Sequence, residues 1–363
     1  MFCVSSSVNA DFIPLDLLDS SLYDTSTYAQ STVNLGAGTN VGGNMQGFNP
    51  ITIGAGSTIG GNVSAGTTVL TGENSFVGGN VQAGTSVNTG VGSVVKGNIS
   101  SGTTTLTGAT STVEGDIIAG GQVLFGAFAT AIVPKQVISQ NINSAGSNDY
   151  NEDYEAPSVE SQDDQLGEVQ ERLRLMGQHI DPLHANNLPI TFGVTDTTLF
   201  SGIYQSDDYL NLRSTLTLDG NNEKGDFLFN IRNQLAFAAG TKVKLVNFHD
   251  DSKIIWNILG DLAPDTGGFM KAAADVEIRG FIIARSFVET GARSSITGVG
   301  VSCGGALSRQ GYIKFDANNV IGEEGCSSTF KPQSHILVPE PATIIYLGLG
   351  LLGLASVGLR RKA

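Results

Sequence analysis

The chain has 363 residues, of which 47 are Gly and only 15% are charged, with a formal net charge of −14. No Lys or Arg precedes Lys96. That balance excludes a nucleic-acid partner, because no basic surface is available to neutralise phosphates. An acidic surface suits an exported protein kept soluble by repulsion, and the length allows two domains or one large solenoid.

The N-terminus reads MFCVSSSVNADF. It has neither a positive n-region nor a long apolar h-region, yet Val8-Asn9-Ala10 before Asp11 resembles the end of a secretory signal. A remnant signal and a short Ser-rich leader are both compatible with it. Residues 1–34 are read as this leader together with a cap on the first coil.

From residue 35 the chain repeats. Gly-Asn and an apolar residue recur at Gly43-Asn44-Met45, Gly61-Asn62-Val63, Gly79-Asn80-Val81 and Gly97-Asn98-Ile99, with Gly115-Asp116-Ile117 as a fifth copy; the step is 18 residues each time. A second ladder holds Gly36, Gly54, Gly72, Gly90, Gly108 and Gly126, and a third holds Gly66, Gly84, Gly102 and Gly120. Coincident ladders at a short fixed period, with Val, Ile and Thr between glycine turns, predict a β-solenoid over residues 35–143. Stacked coils lie about 4.8 Å apart, so six of them make a rod of roughly 28 Å.

The large apolar residues Ile59, Val63, Val69 and Val77 are separated by even steps, as are Val81, Val87, Val95 and Ile99. Alternate strand residues point to opposite sides, so these line the interior. Ala65, Thr67 and Thr71 share their parity and are expected beside them, while Gly supplies positive-φ corners. Asn44, Asn62, Asn80 and Asn98 are read as a structural ladder bonded to nearby backbone. Opposite parity points Ser64, Thr68, Ser86, Ser100 and Thr104 outward, with Gln82, Leu70, Asn88 and Leu106 among them; these five hydroxyls are the candidate surface residues.

Residues 144–164 carry seven acidic residues and no basic one, a solvated linker. Leu166, Val169, Leu173 and Met176 then recur at helical spacing, predicting an amphipathic helix over 165–180 that starts near Ser161, ends before Pro182 and flanks the solenoid. Strand signals return over 186–322 in LTLDG, DFLFNI, KVKLVNF, KIIWNI, DVEIRGFIIA and YIKFD. The strict period is gone, so coils there are irregular. Trp256, inside KIIWNIL, is assigned to the core. Residues 323–337 form a second linker. Cys303 and Cys326 could pair in an oxidising compartment or remain two thiols.

No catalytic or metal-binding pattern stands out. His179, His184, His249 and His335 are scattered, and no GxSxG, HExxH, P-loop or CxxC occurs. The run Asp219 to Asp226 reads as a loop between strands rather than a calcium site. The expectation is therefore neither an enzyme nor a cofactor or metal binder.

Ala342 to Leu359 carries no charge and is just long enough to cross a membrane, with Arg360, Arg361 and Lys362 as a basic stop on the cytoplasmic side. Residues 338–363, with Pro339, Glu340 and Pro341, one apolar helix and a basic tail in that order, closely resemble the PEP-CTERM sorting signal. That resemblance implies export, a transient stay in the inner membrane through residues 342–359, processing by an exosortase-type enzyme, and display at the cell surface or in the extracellular matrix.

Residues 199–321 resemble the ice-binding-like β-solenoid family. The elements that carry it are Gly202 to Tyr204, Leu216 to Asp219, Phe227 to Ile231, Ile255-Trp256, Gly305 to Arg309 and Asp316 to Ile321. The resemblance implies an all-β, right-handed, discontinuous solenoid, with a helix alongside that falls between two coil-forming halves. It also implies adsorption to ice through a flat Thr- and Ser-bearing face. A structural or adhesive solenoid that binds a polysaccharide surface is the alternative.

Overall fold

Short strands of two to five residues, many of them ended by Gly, do not pair with their immediate neighbours; they pair with the strand one coil away. The computed structural model describes residues 25–131, 137–138, 141–142, 159, 161–179, 186–187, 193–260, 267–300, 303–322 and 326. These belong to one compact unit, Met1–Ser328, and the second unit, Thr329–Ala363, lies outside the described residues. The expected membrane-spanning segment 342–359, the expected basic stop Arg360, Arg361 and Lys362, and most of both linkers also fall outside them. Among the described residues no helix is long and apolar enough to cross a membrane.

Most coils contribute one strand to each of three parallel sheets of 13, 12 and 9 strands. We call them the first, second and third faces, in the order in which the chain visits them. In the first coil these strands are Thr25–Ala29, Val33–Leu35 and Asn40–Val41. The coil thus starts ten residues before the glycine ladder suggests, and residues 25–34 are solenoid rather than leader. A small fourth sheet joins Thr197–Phe200, Leu216–Asp219 and Val243–Val246.

The stacking order is not the chain order. Coils of the N-terminal half stack outward from the first one, Met45 on Val63, Val63 on Val81 and Val81 on Ile99. On its other side the first coil pairs with the last. Tyr28 faces Leu307, Val33 faces Ile313 and Val41 faces Ile321, one pairing on each face. The described chain therefore starts in the middle of the stack, winds to one end, and resumes at the other end to wind back to the middle. The backbone pairing across the seam is parallel on all three faces.

The helix Asp163–His179 falls between the halves in sequence and packs on the first face of the C-terminal half. Asp163 and Asp164 in its first turn complement the helix dipole. Leu166, Val169 and Leu173 are buried against Tyr28, Ile203, Leu228, Ile255, Ile283 and Leu307. Burying each such side chain is worth about 1.5–3 kcal/mol. Amides then fix the helix position. Gln170 Nε2 donates to the carbonyls of Ile258 and Ile283, both at 3.2 Å, and Asn257 Nδ2 donates to the Gln170 carbonyl at 3.1 Å. At the N-terminal end, Arg309 Nε meets Asp163 Oδ1 at 2.6 Å and the Gln162 N–H donates to the Tyr28 hydroxyl at 2.8 Å. First coil and last coil thus both grip the start of the helix.

Ile59, Val63, Val69, Val77, Val81, Val87, Val95 and Ile99 are all buried, with Ala65 and Thr71 beside them. Two expectations need correction. Thr67, Thr85 and Thr103 are not interior: they stand at the corner after Gly66, Gly84 and Gly102, and Thr85 and Thr103 are exposed. The ladder glycines, moreover, are not there for positive φ. A Cβ on Gly66 would lie 2.0 Å from the Phe48 carbonyl oxygen of the preceding coil, so close coil-to-coil approach excludes any side chain. The left-handed corner belongs to another column, Gly38, Gly56, Asn74, Gly92, Thr110 and Phe128.

The Asn column forms a ladder whose rungs run from side chain to backbone. Asn62, Asn80 and Asn98 each donate their N–H to the Oδ1 of the Asn one coil before, at 2.8 Å, and Asp116 donates to Asn98 in the same way. Asn80→Ala removes the acceptor for the Asn98 N–H and is expected to cost about 1 kcal/mol. Asn80→Asp keeps an acceptor there and should cost less; urea denaturation of the two variants checks the order.

Candidate functional site

The three faces differ in what they turn outward. On the first face of the N-terminal half the outward column is Gln46, Ser64, Gln82, Ser100 and Ile118. In the C-terminal half this face lies under the helix. On the third face the column is Thr58, Phe76, Val94, Thr112 and Thr130. An ion pair between Lys96 and Glu114 stands beside it.

The second face of the N-terminal half carries two columns. One runs Asn34, Thr52, Leu70, Asn88, Leu106 and Leu124, and the other Thr68, Ser86, Thr104 and Gln122. No charged residue occurs in the strands from Val33–Leu35 to Gln122–Phe125. Leu70 and Leu106 are 37% and 40% exposed on this face. The hydroxyls are engaged sideways: Thr68 Oγ1 lies 3.0 Å from Thr85 Oγ1 and 3.3 Å from Ser86 Oγ. At the adjoining corner Thr85 and Thr103 donate to the carbonyls of Thr67 and Thr85, at 2.8 and 2.9 Å. The hydroxyls of Thr68, Thr85, Ser86 and Thr103 are thus engaged with their neighbours and stand in register among methyl-bearing side chains. They present a fixed pattern of polar and apolar points.

Of the five hydroxyls singled out from sequence, Thr68, Ser86 and Thr104 share the second face, whereas Ser64 and Ser100 stand on the first, around the Gly66 and Gly102 corners. No single plane holds all five. Thr52 is not one of the five, although it stands in register with Leu70 on the second face; the parity that selects Thr68 also reaches it.

Beyond the seam the second face changes character. Asn34 is followed by Lys314, Glu289 and Lys271 in one column. Lys271 Nζ and Glu289 Oε2 are 3.4 Å apart, and Lys314 Nζ and Asp316 Oδ1 are 3.6 Å apart. Beside them Phe269, Phe287 and Tyr312 stack with centroids 4.7 and 5.1 Å apart, so each ring covers its neighbour. The Tyr312 hydroxyl donates to Glu289 at 2.6 Å; desolvation and the adjacent carboxylate push the phenol up to about 12. Among the described residues no group of three or more His, Cys, Asp or Glu could hold a metal ion.

Comparison with known proteins adds a family to this geometry. The family model described as Ice-binding-like matches residues 99–321, and that of the PEP-CTERM protein-sorting motif matches residues 337–362. A protein named "Ice-binding protein" from Nostoc sp. (strain HG1) is 29% identical over 159 residues, which are 43% of this chain and 52% of that one. The chain thus spans about half the length of this curated relative. An ice binding protein from an Antarctic Biological Consortium is similar in structure at 13% identity, covering 88% of this chain and 95% of that chain with a TM-score of 0.45. The ice-binding protein of the Antarctic ascomycete Antarctomyces psychrotrophicus gives 13% identity, 84% and 97% coverage, and a TM-score of 0.41.

Proposed function

Because the chain belongs to the ice-binding-like family, we propose that it is an exported protein that adsorbs to ice through the uncharged second face of its N-terminal half. The observation that carries the reading is that face: six successive strands without a charge, with Thr52, Thr68, Ser86 and Thr104 among Leu70, Leu106 and Leu124. A surface of ordered water offers no pocket and no counter-charge. It can be matched only by a rigid, repeated pattern, where each contact is weak and little ordering cost falls on the protein. The ladder Asn residues and the glycine column supply that rigidity. Ser64 and Ser100, on the other side of the corner, are left outside the adsorbing plane.

Export and sorting complete the proposal. The motif Pro339, Glu340 and Pro341 is the feature an exosortase-type enzyme would read, while residues 342–359 would hold the chain in the membrane and Arg360, Arg361 and Lys362 would stop its passage. Release would leave the protein at the surface or in the matrix. The full chain should inhibit ice recrystallisation and produce thermal hysteresis. If it does neither at high concentration, yet sediments with exopolysaccharide, ice adsorption is wrong and a matrix role takes its place.

A further inference from the structure

The seam is the one place where the two halves pair strand to strand, and a single coil supplies the whole C-terminal side of it. That coil comprises Gly305–Ser308, Ile313–Phe315 and Val320–Ile321, paired with Thr25–Ala29, Val33–Leu35 and Asn40–Val41. Cys303 precedes the first of its three strands, Cys326 comes after the last, and the two are bonded with their Cα atoms 4.2 Å apart. The bond therefore closes this coil, and no other, into a covalent ring. It also touches the opposite half. Ser26 Oγ, in the first coil, is 3.3 Å from Cys303 Sγ and 3.5 Å from Cys326 Sγ.

We propose that the Cys303–Cys326 bond is a redox lock on the seam. The last strand of this coil, Val320–Ile321, has only two residues and is paired with Asn40–Val41 on one side and Ser295–Thr297 on the other. It is held to the first coil by Asn40 N–H to Asn319 carbonyl and Gly42 N–H to Ile321 carbonyl bonds, both 2.7 Å. Strand ends of this kind open first. With the ring closed, residue 326 cannot leave without Cys303, and Cys303 is buried. With the ring open, the last coil can loosen face by face from the first coil while it stays paired with Phe281–Ala284, Val288–Thr290 and Ser295–Thr297 on its other side. Disulfides persist in oxidising compartments, so the lock is set only after export.

Unlocking is a two-electron step. A thiolate of dithiothreitol attacks Cys326 Sγ, the more exposed sulfur, and Cys303 leaves as a thiolate that takes up a proton. The second thiol of the reductant then displaces Cys326, giving two cysteine thiols and one cyclic oxidised dithiothreitol.

Hydrogen exchange of the full chain, read by mass spectrometry with and without dithiothreitol, tests this. Before reduction, peptides holding Cys303 and Cys326 should resist alkylation. After it, amides in Gly305–Ile321 and Thr25–Val41 should exchange about tenfold faster or more, while those from Val63 to Val113 stay unchanged. Cys326→Ser should reproduce the pattern without reductant; if that variant does not accumulate, reduction of the folded wild type gives the same reading. Cysteines that alkylate before reduction, a seam that exchanges no faster, or an even rise across all coils would each overturn the lock.

Discussion

Trp256→Ala is expected to destabilise the protein by about 3–5 kcal/mol, the cost of emptying a large buried aromatic site. Trp256 is fully buried. Its ring stacks on Phe229 at 4.1 Å between centroids and meets Phe237 edge-on at 5.8 Å. Its Nε1–H donates to the Arg279 carbonyl at 2.9 Å, tying the first face to the third across the interior. The site cannot collapse easily, because Phe229 and Ile282 sit above and below it in register on parallel strands. Trp256→Phe refills most of the volume and loses the hydrogen bond, so a loss of about 1–2 kcal/mol is expected. Chemical denaturation of both variants, compared with Asn80→Ala, measures the order. If Trp256→Ala cost no more than the ladder variant, the C-terminal half would not be centred on this ring.

Much of this architecture is legible from residues alone, and the losses have physical causes. Val63, Val69 and Val77 point inward, one on each face, because the corners between their strands keep the even spacing. Thr67, Thr85 and Thr103 break the rule because they stand in the corner itself, where the strand alternation that fixes side-chain direction does not hold. Leu166, Val169 and Leu173 announce the helix, and its partners explain why the C-terminal strands read as unbroken apolar runs. In FLFNI, IIWNI and FIIA the outward residues are covered by the helix, so both sides are buried. Thr25–Ala29 escapes for a related reason: it has no Gly-Asn mark, and its outward Tyr28 lies beneath the helix start. The pairing of Tyr28 with Leu307 joins the two ends of the described chain, and no local pattern encodes it.

The candidate surface is legible in part. Alternation separates outward hydroxyls from inward valines, which places Thr68, Ser86 and Thr104 correctly on the outside. It cannot say that Ser64 and Ser100 face another way, because that depends on the angle of the chain at Gly66 and Gly102. The change from uncharged to charged second face at Asn34 and Lys314 is likewise a product of the seam. Along the chain those two residues are far apart; in the sheet they are neighbours.

Ice adsorption by a face, rather than by the molecule at large, is tested most directly by moving charge between faces. Leu70→Lys with Leu106→Lys places two ammonium groups in the middle of the second face without touching a buried side chain. Thr58→Lys with Thr112→Lys does the same on the third face. Both pairs are read by ice recrystallisation inhibition of the full chain, with circular dichroism to confirm that the coils persist. The second-face pair should lose about tenfold or more of the activity, as expected when the centre of a contact surface is broken, and the third-face pair should keep most of it. Retained activity in the second-face pair, or loss confined to the third-face pair, would contradict adsorption through the second face.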